Sequence, residues 1–215
     1  MEELQTIFGK ISEELTKANS VRGKILILSR KAIQKSSIAI KHLHRAEFQE
    51  ADKLIMENKE LIIEINELSN QMEQVRFGMI LSCNQEYAEA VFLQSFLTQA
   101  PFPTFTDLQI PYLGYIHGIP DFVGELRRVI LDTLRKEDNI EIAVNALDLM
   151  DDLYTLLLTI DFPDSLTYNL RKKTDFVRNL TERTRGDVTL ALNRLQLVKT
   201  FKEILEHKST RENQD

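Results

Sequence analysis

Between Val21 and Arg45 the apolar residues recur with the period of an α-helix, and a chain that holds this period so long has little freedom to be anything but helical. At about 100° per residue, Val21, Ile25, Leu28, Ala32, Ile33, Ala39, Ile40 and Leu43 fall on one broad side. Arg30, Gln34, Ser37, Lys41, His44 and Arg45 fall together on the opposite side, with Lys24, Lys31 and Lys35 beside them. The helix is therefore expected to bury one face and to expose a long cationic one. The whole chain of 215 residues carries only seven Gly and five Pro. Sheets need many turns and hence many such residues, so their scarcity extends the helical reading to the whole chain.

The other segments read in the same way. Leu4–Thr16 is a first amphipathic helix, which Gly23 either ends or joins to the next. Phe48–Gln99 is one helical stretch with a break near Ser69 or Gly78, and Ala100-Pro-Phe-Pro103 stops it. Thr106 as N-cap and Pro111 in the first turn open a helix running to about Lys136. Asn139 caps Ile140–Ile160, a helix apolar on most sides and so expected to be central. After Phe162-Pro-Asp-Ser165, helices are predicted at about Ser165–Arg183 and Asp187–Leu205, with 206–215 a polar, frayed tail. The predicted architecture is all-α, about seven helices in one domain over residues 1–205, with no repeat.

Cys83 is the only cysteine, so the chain has no internal disulfide and no thiolate zinc site, as expected in a reducing cytoplasmic compartment. The start, MEELQTIFGK, lacks the basic and apolar regions of a signal peptide. Apolar runs such as Leu153–Ile160 are too short to span a membrane, so no membrane partner is expected. The net charge of −6 conceals an asymmetry. Val21–Ala46 holds seven Lys or Arg and no acid, while the remainder carries 20 basic and 33 acidic residues. One basic stripe on an acidic protein points to nucleic acid more than to a merely solvated surface.

Two acidic patterns carry chemistry. Glu86-x-x-Glu89 and Asp121-x-x-x-Glu125 each place two carboxylates on one helix face. Packed face to face, two such helices would gather four like charges, which need a counter-charge. Hard oxygen ligands suit Mg2+ or Mn2+, which can activate water and offset charge developing at a phosphodiester. Acidic pairs also occur on solvated faces, but here both are set among apolar residues, where a carboxylate needs a partner. Gly114, Gly118 and Gly124 lie along the second helix and suggest that another backbone approaches closely there. His117, one turn before Asp121, is either a ligand, a proton carrier or a structural hydrogen-bonding residue. Pro120 removes one hydrogen bond beside Asp121. No phosphate-binding Gly loop, HExxH or nucleophile elbow is present.

At these residues the sequence resembles the translin family, on its translin-associated factor X branch. Leu28-Ser-Arg30 with His44-Arg45 is similar to that branch's LSR…HR pattern. Gln85-Glu86-Tyr87-x-Glu89-Ala90-Val91 resembles its QEYxEAV motif. Tyr115-x-x-Gly118-x-x-Asp121-x-x-Gly124-Glu125-Leu126-x-Arg128 resembles its YxxGxxDxxGELxR motif. With looser likeness at Leu170–Lys173 and Arg185-Gly186, the match covers about residues 20 to 190.

The resemblance implies a seven-helix fold assembling into a hollow, octameric shell. It implies a Mg2+-dependent endoribonuclease acting on single-stranded or lightly structured RNA held inside. By that resemblance Glu86, Glu89 and Asp121 are the catalytic metal ligands, and Glu125 is a nearby catalytic acid. Arg30, Lys41, His44 and Arg45 are the residues expected to hold RNA phosphates. The chain departs from the family at Pro120, where a small residue is usual, and at His117, which replaces an apolar one. The short loop between Phe96 and Pro111, and the lack of a basic N-terminal extension, suggest a minimal form making homo-oligomers without a separate translin partner.

Two other functions fit the same residues. One is a shell that binds RNA or single-stranded DNA without cutting it. The other is an all-α nucleoside triphosphate pyrophosphatase, which also uses ExxE and a second acidic pair. The second pair here is D-x-x-x-E, and a single nucleotide needs no basic helix. A di-iron carboxylate bundle is disfavoured because Glu-x-x-His is absent.

Overall fold

The computed structural model describes the backbone of residues 1–70, 77–136 and 140–212, and the side chains of 1–70, 78–136 and 140–204. Among these residues are seven helices and no strand: α1 Glu2–His44, α2 Phe48–Asn70, α3 Phe77–Thr98, α4 Tyr112–Lys136, α5 Ile140–Leu158, α6 Asp164–Thr167 and α7 Leu170–Glu212. The all-α prediction holds, with several boundaries moved. Gly23 is absorbed, so the two N-terminal helices are one. Gly186 is likewise absorbed, and α7 runs unbroken from Leu170 through Glu212. The tertiary setting overrides the roughly 1 kcal/mol that a helical Gly costs. The true interruption comes earlier, where Tyr168 and Asn169 both take left-handed φ values of 49° and 64° and separate α6 from α7. Neither Gly nor Pro marks it. The break expected near Ser69 or Gly78 corresponds to the interval between α2 and α3, and residues 71–76, like the Asn139 cap, lie outside the described residues.

The loop before α4 also differs from expectation. Thr106 does not cap α4. Instead Thr104 and Asp107 exchange bonds: the Thr104 backbone N–H donates to Asp107 Oδ2 at 2.9 Å, and the Asp107 N–H donates to Thr104 Oγ1 at 3.2 Å. That reciprocal turn is the local equivalent of a capping box. The first bond of α4 runs from Tyr115 N to the Pro111 carbonyl at 3.3 Å, which puts Pro111 at the helix start.

The chain divides into two compact units, residues 1–122 with 162–170, and residues 123–161 with 171–215. In the first, α1 lies along α2 and α3, and α2 packs on α3. Small residues on α1, Ser29, Ala32, Ser36 and Ala39, are all buried and let α2 and α3 come near. Into this seam reaches the buried Asn58 of α2. Its Nδ2 donates to the Ala32 carbonyl at 3.1 Å and to Ser36 Oγ at 2.9 Å. Asn66 and Asn84 join α2 to α3 by reciprocal amide bonds of 3.1 and 2.9 Å. An aromatic cluster of Phe92, Phe96, Phe102, Tyr115 and Phe122 closes the end where α3 and α4 meet the loop.

The contact between α3 and α4 is closer than side chains allow. A Cβ on Gly114 would stand 2.6 Å from Asn84 Cβ, and one on Gly118 would stand 2.8 Å from Ala88 Cβ and 3.0 Å from the Gln85 carbonyl oxygen. Both glycines are therefore required by proximity, as expected from the sequence. Gly124 is not: a Cβ there meets nothing within 4 Å.

In the second unit the later part of α4, α5 and α7 bury Leu126, Ile130, Ala146, Met150, Val177 and Val188. Arg127 donates to Thr184 Oγ1 at 2.7 Å and pairs with Asp187 at 2.9 Å. Arg185 grips both oxygens of Asp151 at 2.6 and 2.8 Å. Being partly exposed, these pairs set the register of α7 more than they stabilise it. The expectation that α5 is enclosed on most sides is corrected: Ala143, Ala146, Leu147, Met150 and Leu157 are buried, while Ile142, Leu156 and Leu158 are exposed.

Two tests follow from this packing. Gly118→Ala is expected to lower unfolding free energy by about 1–3 kcal/mol through overpacking, whereas Gly124→Ala is expected to raise it by up to about 1 kcal/mol. Urea midpoints measure both, and equal effects would contradict the geometry. Burial pushes the Cys83 thiol up to about 11, and none of the residue is exposed. A thiol reagent in mildly alkaline buffer should therefore leave the folded protein unlabelled and react with the single Cys only after denaturant is added.

Candidate functional site

Close approach of two helices sets Asp121 beside the Glu86-x-x-Glu89 motif. On α3, Glu86 and Glu89 stand one turn apart, Glu86 half-buried and Glu89 buried with 7% of its surface exposed. The part of α3 that Gly118 touches is the Gln85 carbonyl, the Ala88 side chain and the Glu89 nitrogen. Asp121 lies three residues beyond Gly118, so this same contact sets it beside the α3 motif. Its carboxylate accepts a hydrogen bond from the Gln85 side-chain amide, which ties the two motifs to each other.

Among the described residues, no group of three or more His, Cys, Asp or Glu side chains is gathered closely enough to hold a metal ion. The helices that carry Glu86, Glu89 and Asp121 are in contact, but their carboxylates are not drawn into one cluster. The donors remain hard oxygens throughout, a set suited to Mg2+ or Mn2+. Glu125 is placed differently. It falls in the second compact unit and pairs with Arg128 on its own helix at 3.7 Å.

Of the three roles open to His117, the structure displays the structural one. The residue is buried, and its Nε2 lies 2.8 Å from the Thr167 carbonyl oxygen. A carbonyl only accepts, so this nitrogen carries the proton and donates it. Pro120 sits inside α4 without ending it.

Gln85 is the site residue that sequence reasoning passed over. Its signal was available: four residues before Glu89, it shares that residue's helix face.

The cationic face of α1 is largely as expected. Arg30, Lys41 and Arg45 are exposed and His44 is half-buried, while Lys24, Lys31 and Gln34 are exposed around them. Lys35 differs, since Glu57 of α2 pairs with it at 2.5 Å. Beside Arg30 a cavity of about 250 Å³ opens between α1 and α3, walled by Leu26, Ile33 and Met79. The hydroxyl of Ser29, in the same wall, is buried beside the Cys83 thiol.

Known proteins share the sequence pattern and the fold. The sequence matches the translin family over residues 4–184. It is 33% identical over 193 residues to an uncharacterised protein of Methanocaldococcus jannaschii, a match covering 88% of this chain and 85% of that one. The fold is similar to that of AfC3PO in complex with duplex RNA, with a TM-score of 0.79, 28% identity, and coverage of 87% of this chain and 98% of that one. It is also similar to apo-NeC3PO, with a TM-score of 0.77, 26% identity, and coverage of 86% and 96%. A helical fold shared with solved relatives and a sequence match across most of the chain lead to one conclusion: this protein belongs to the translin family.

Proposed function

We propose that this protein is a Mg2+-dependent endoribonuclease that works as a homo-oligomeric shell. The observation that carries this reading is the junction of α3 and α4. There Gly118 lies against Gln85 and Glu89, and the Gln85 amide holds Asp121. Asp121 is thereby held beside the Glu86 and Glu89 motif from a distant part of the chain.

Glu86, Glu89 and Asp121 are the residues that would hold the cation. An ion held there would supply Lewis-acid activation of water and a counter-charge for the phosphate. Gln85 acts as a positioning residue, orienting Asp121 through its amide. Arg30, Lys41 and His44 of α1, with Arg45 at its C-cap, supply the electrostatic contacts that bind RNA phosphates irrespective of sequence. The duplex RNA bound by AfC3PO, similar in fold, supports RNA as the ligand class. Single-stranded or lightly structured RNA is the proposed substrate, and an octamer the proposed assembly.

Cleavage of labelled single-stranded and duplex RNA, with Mg2+ or with EDTA, tests the reading. Cutting should require Mg2+ and fall roughly a hundredfold or more in Glu89→Gln, with RNA affinity retained. Gln85→Ala should fall about ten- to a hundredfold, partly restored at high Mg2+. Tight binding without cutting by the unmodified protein would establish a binding-only shell. A second measurement concerns α1: the log–log slope of affinity for single-stranded RNA against salt should drop by about 0.7 for each of Arg30→Ala and Lys41→Ala. Unchanged slopes would remove those residues from the interface.

A further inference from the structure

The cavity beside Arg30 lies where two helix faces used by the proposed function begin. On α1 its wall is formed by Leu26, Arg30 and Ile33. Spacings of three and four residues carry that wall onward to Ser37, Lys41 and His44, so the cavity stands at the start of the cationic stripe. On α3 its wall is Gly78, Met79 and Ser82. The same spacings lead from Met79 and Ser82 to Glu86 and Glu89. Along the helix axis Glu86 is about 6 Å from Ser82 and about 10 Å from Met79. All of these residues belong to the first compact unit. One concave, apolar hollow therefore adjoins both the proposed phosphate-binding residues and the acidic motif.

We infer that this cavity seats one unstacked base of the bound RNA strand while Arg30 holds a phosphate beside it. The inference rests on RNA as the ligand class and goes further by assigning a subsite to a base. Size, lining and charge select this occupant. The volume, about 250 Å³, falls below the roughly 300–1,000 Å³ of sites that enclose a drug-sized ligand, and suits a single ring system. Leu26, Ile33 and Met79 present methyl, methylene and thioether groups that pack on the face of an aromatic ring. The Ser82 hydroxyl is turned back onto the Gly78 carbonyl at 2.9 Å, so this wall reads the shape of a base and not its hydrogen-bonding edge. Val21–Ala46 carries no acid, so the phosphates of a strand meet no like charge along its own stripe. An uncharged apolar ligand would gain nothing from Arg30, whereas a nucleotide joins a ring to an anion as the cavity joins an apolar hollow to a guanidinium. A duplex keeps its bases stacked and paired, so it leaves the cavity unused.

Gly78 supplies the test, because a Cβ there meets nothing within 4 Å and a longer side chain extends into open space. Gly78→Leu should therefore fold and occupy the cavity. Affinities are measured in EDTA, without cutting, for three probes of equal length: a single-stranded RNA, an RNA duplex, and a single strand of abasic ribose phosphates. The unmodified protein should bind the single-stranded RNA about tenfold more tightly than the abasic strand, and Gly78→Leu should abolish that difference. Affinity for the duplex and for the abasic strand should be the same in both proteins. Equal binding of base-bearing and abasic strands by the unmodified protein would overturn the subsite. So would a Gly78→Leu variant that binds every probe as the unmodified protein does, or one that weakens all three alike. A lowered light-scattering mass in the variant would mean that a second copy of the chain fills the cavity, and would overturn it too. Loss of the base contrast with RNA still bound would leave RNA standing as the ligand class, while failure of the unmodified protein to bind any of the three probes would overturn both.

Discussion

The rest of the candidate site depends on one contact, the approach of α4 to α3 at Gly114 and Gly118. Two missing side chains let the helices meet backbone to backbone along one turn, against Asn84 and then against Gln85, Ala88 and Glu89. Without that proximity the Gln85 amide would not reach Asp121, and the two acidic motifs would be separate features of two helices. The same stretch of α3 is anchored from behind, because Asn84 is also locked to Asn66 of α2. The position of the acids is thus set by packing, and their chemistry is an addition to a contact that exists for steric reasons.

A second constraint is the division of α1 along its length and around its circumference. Its central and C-terminal portion buries small residues toward α2 and α3 and presents Arg30, Lys31 and Lys41 outward. Its first 17 residues continue the apolar seam beyond its cover. One uninterrupted helix therefore serves core, cationic surface and projecting arm, and helical continuity keeps these three parts in fixed angular relation.

Much of this was legible in the residues alone, for identifiable reasons. Helicity followed from apolar period, and the cationic face of α1 from the same period read for charge. The roles of Gly114 and Gly118 followed from the cost of glycine in a helix, but that argument did not distinguish them from Gly124, because cost does not reveal which neighbour is near. Helix ends were harder. Gly23 and Gly186 read as breaks or near-breaks in the sequence, yet both lie inside helices. The real break at Tyr168 and Asn169 has no Gly or Pro to mark it. The partnership of Gln85 with Asp121 spans 36 residues, so no local pattern encodes it. The exposure of Leu156 and Leu158 on α5 was illegible for another reason: apolar composition says that a face wants cover and not whether its own chain supplies it.

Asn58 has a consequence for how the chain finds its fold. Helices that meet through small residues can slide past one another by a turn at little steric cost, since alanine fits many holes. The Asn58 amide removes that freedom. Its two acceptors, the Ala32 carbonyl and the Ser36 hydroxyl, exist at one alignment of α2 on α1, and a slipped pair would bury the amide with nothing to bind. The residue thus acts as an indexing pin, discriminating against misaligned intermediates more than it deepens the native well. Between Leu4 and Leu15 the seam contains no such pin. This is therefore the portion of the seam where sliding against a neighbour would be cheapest.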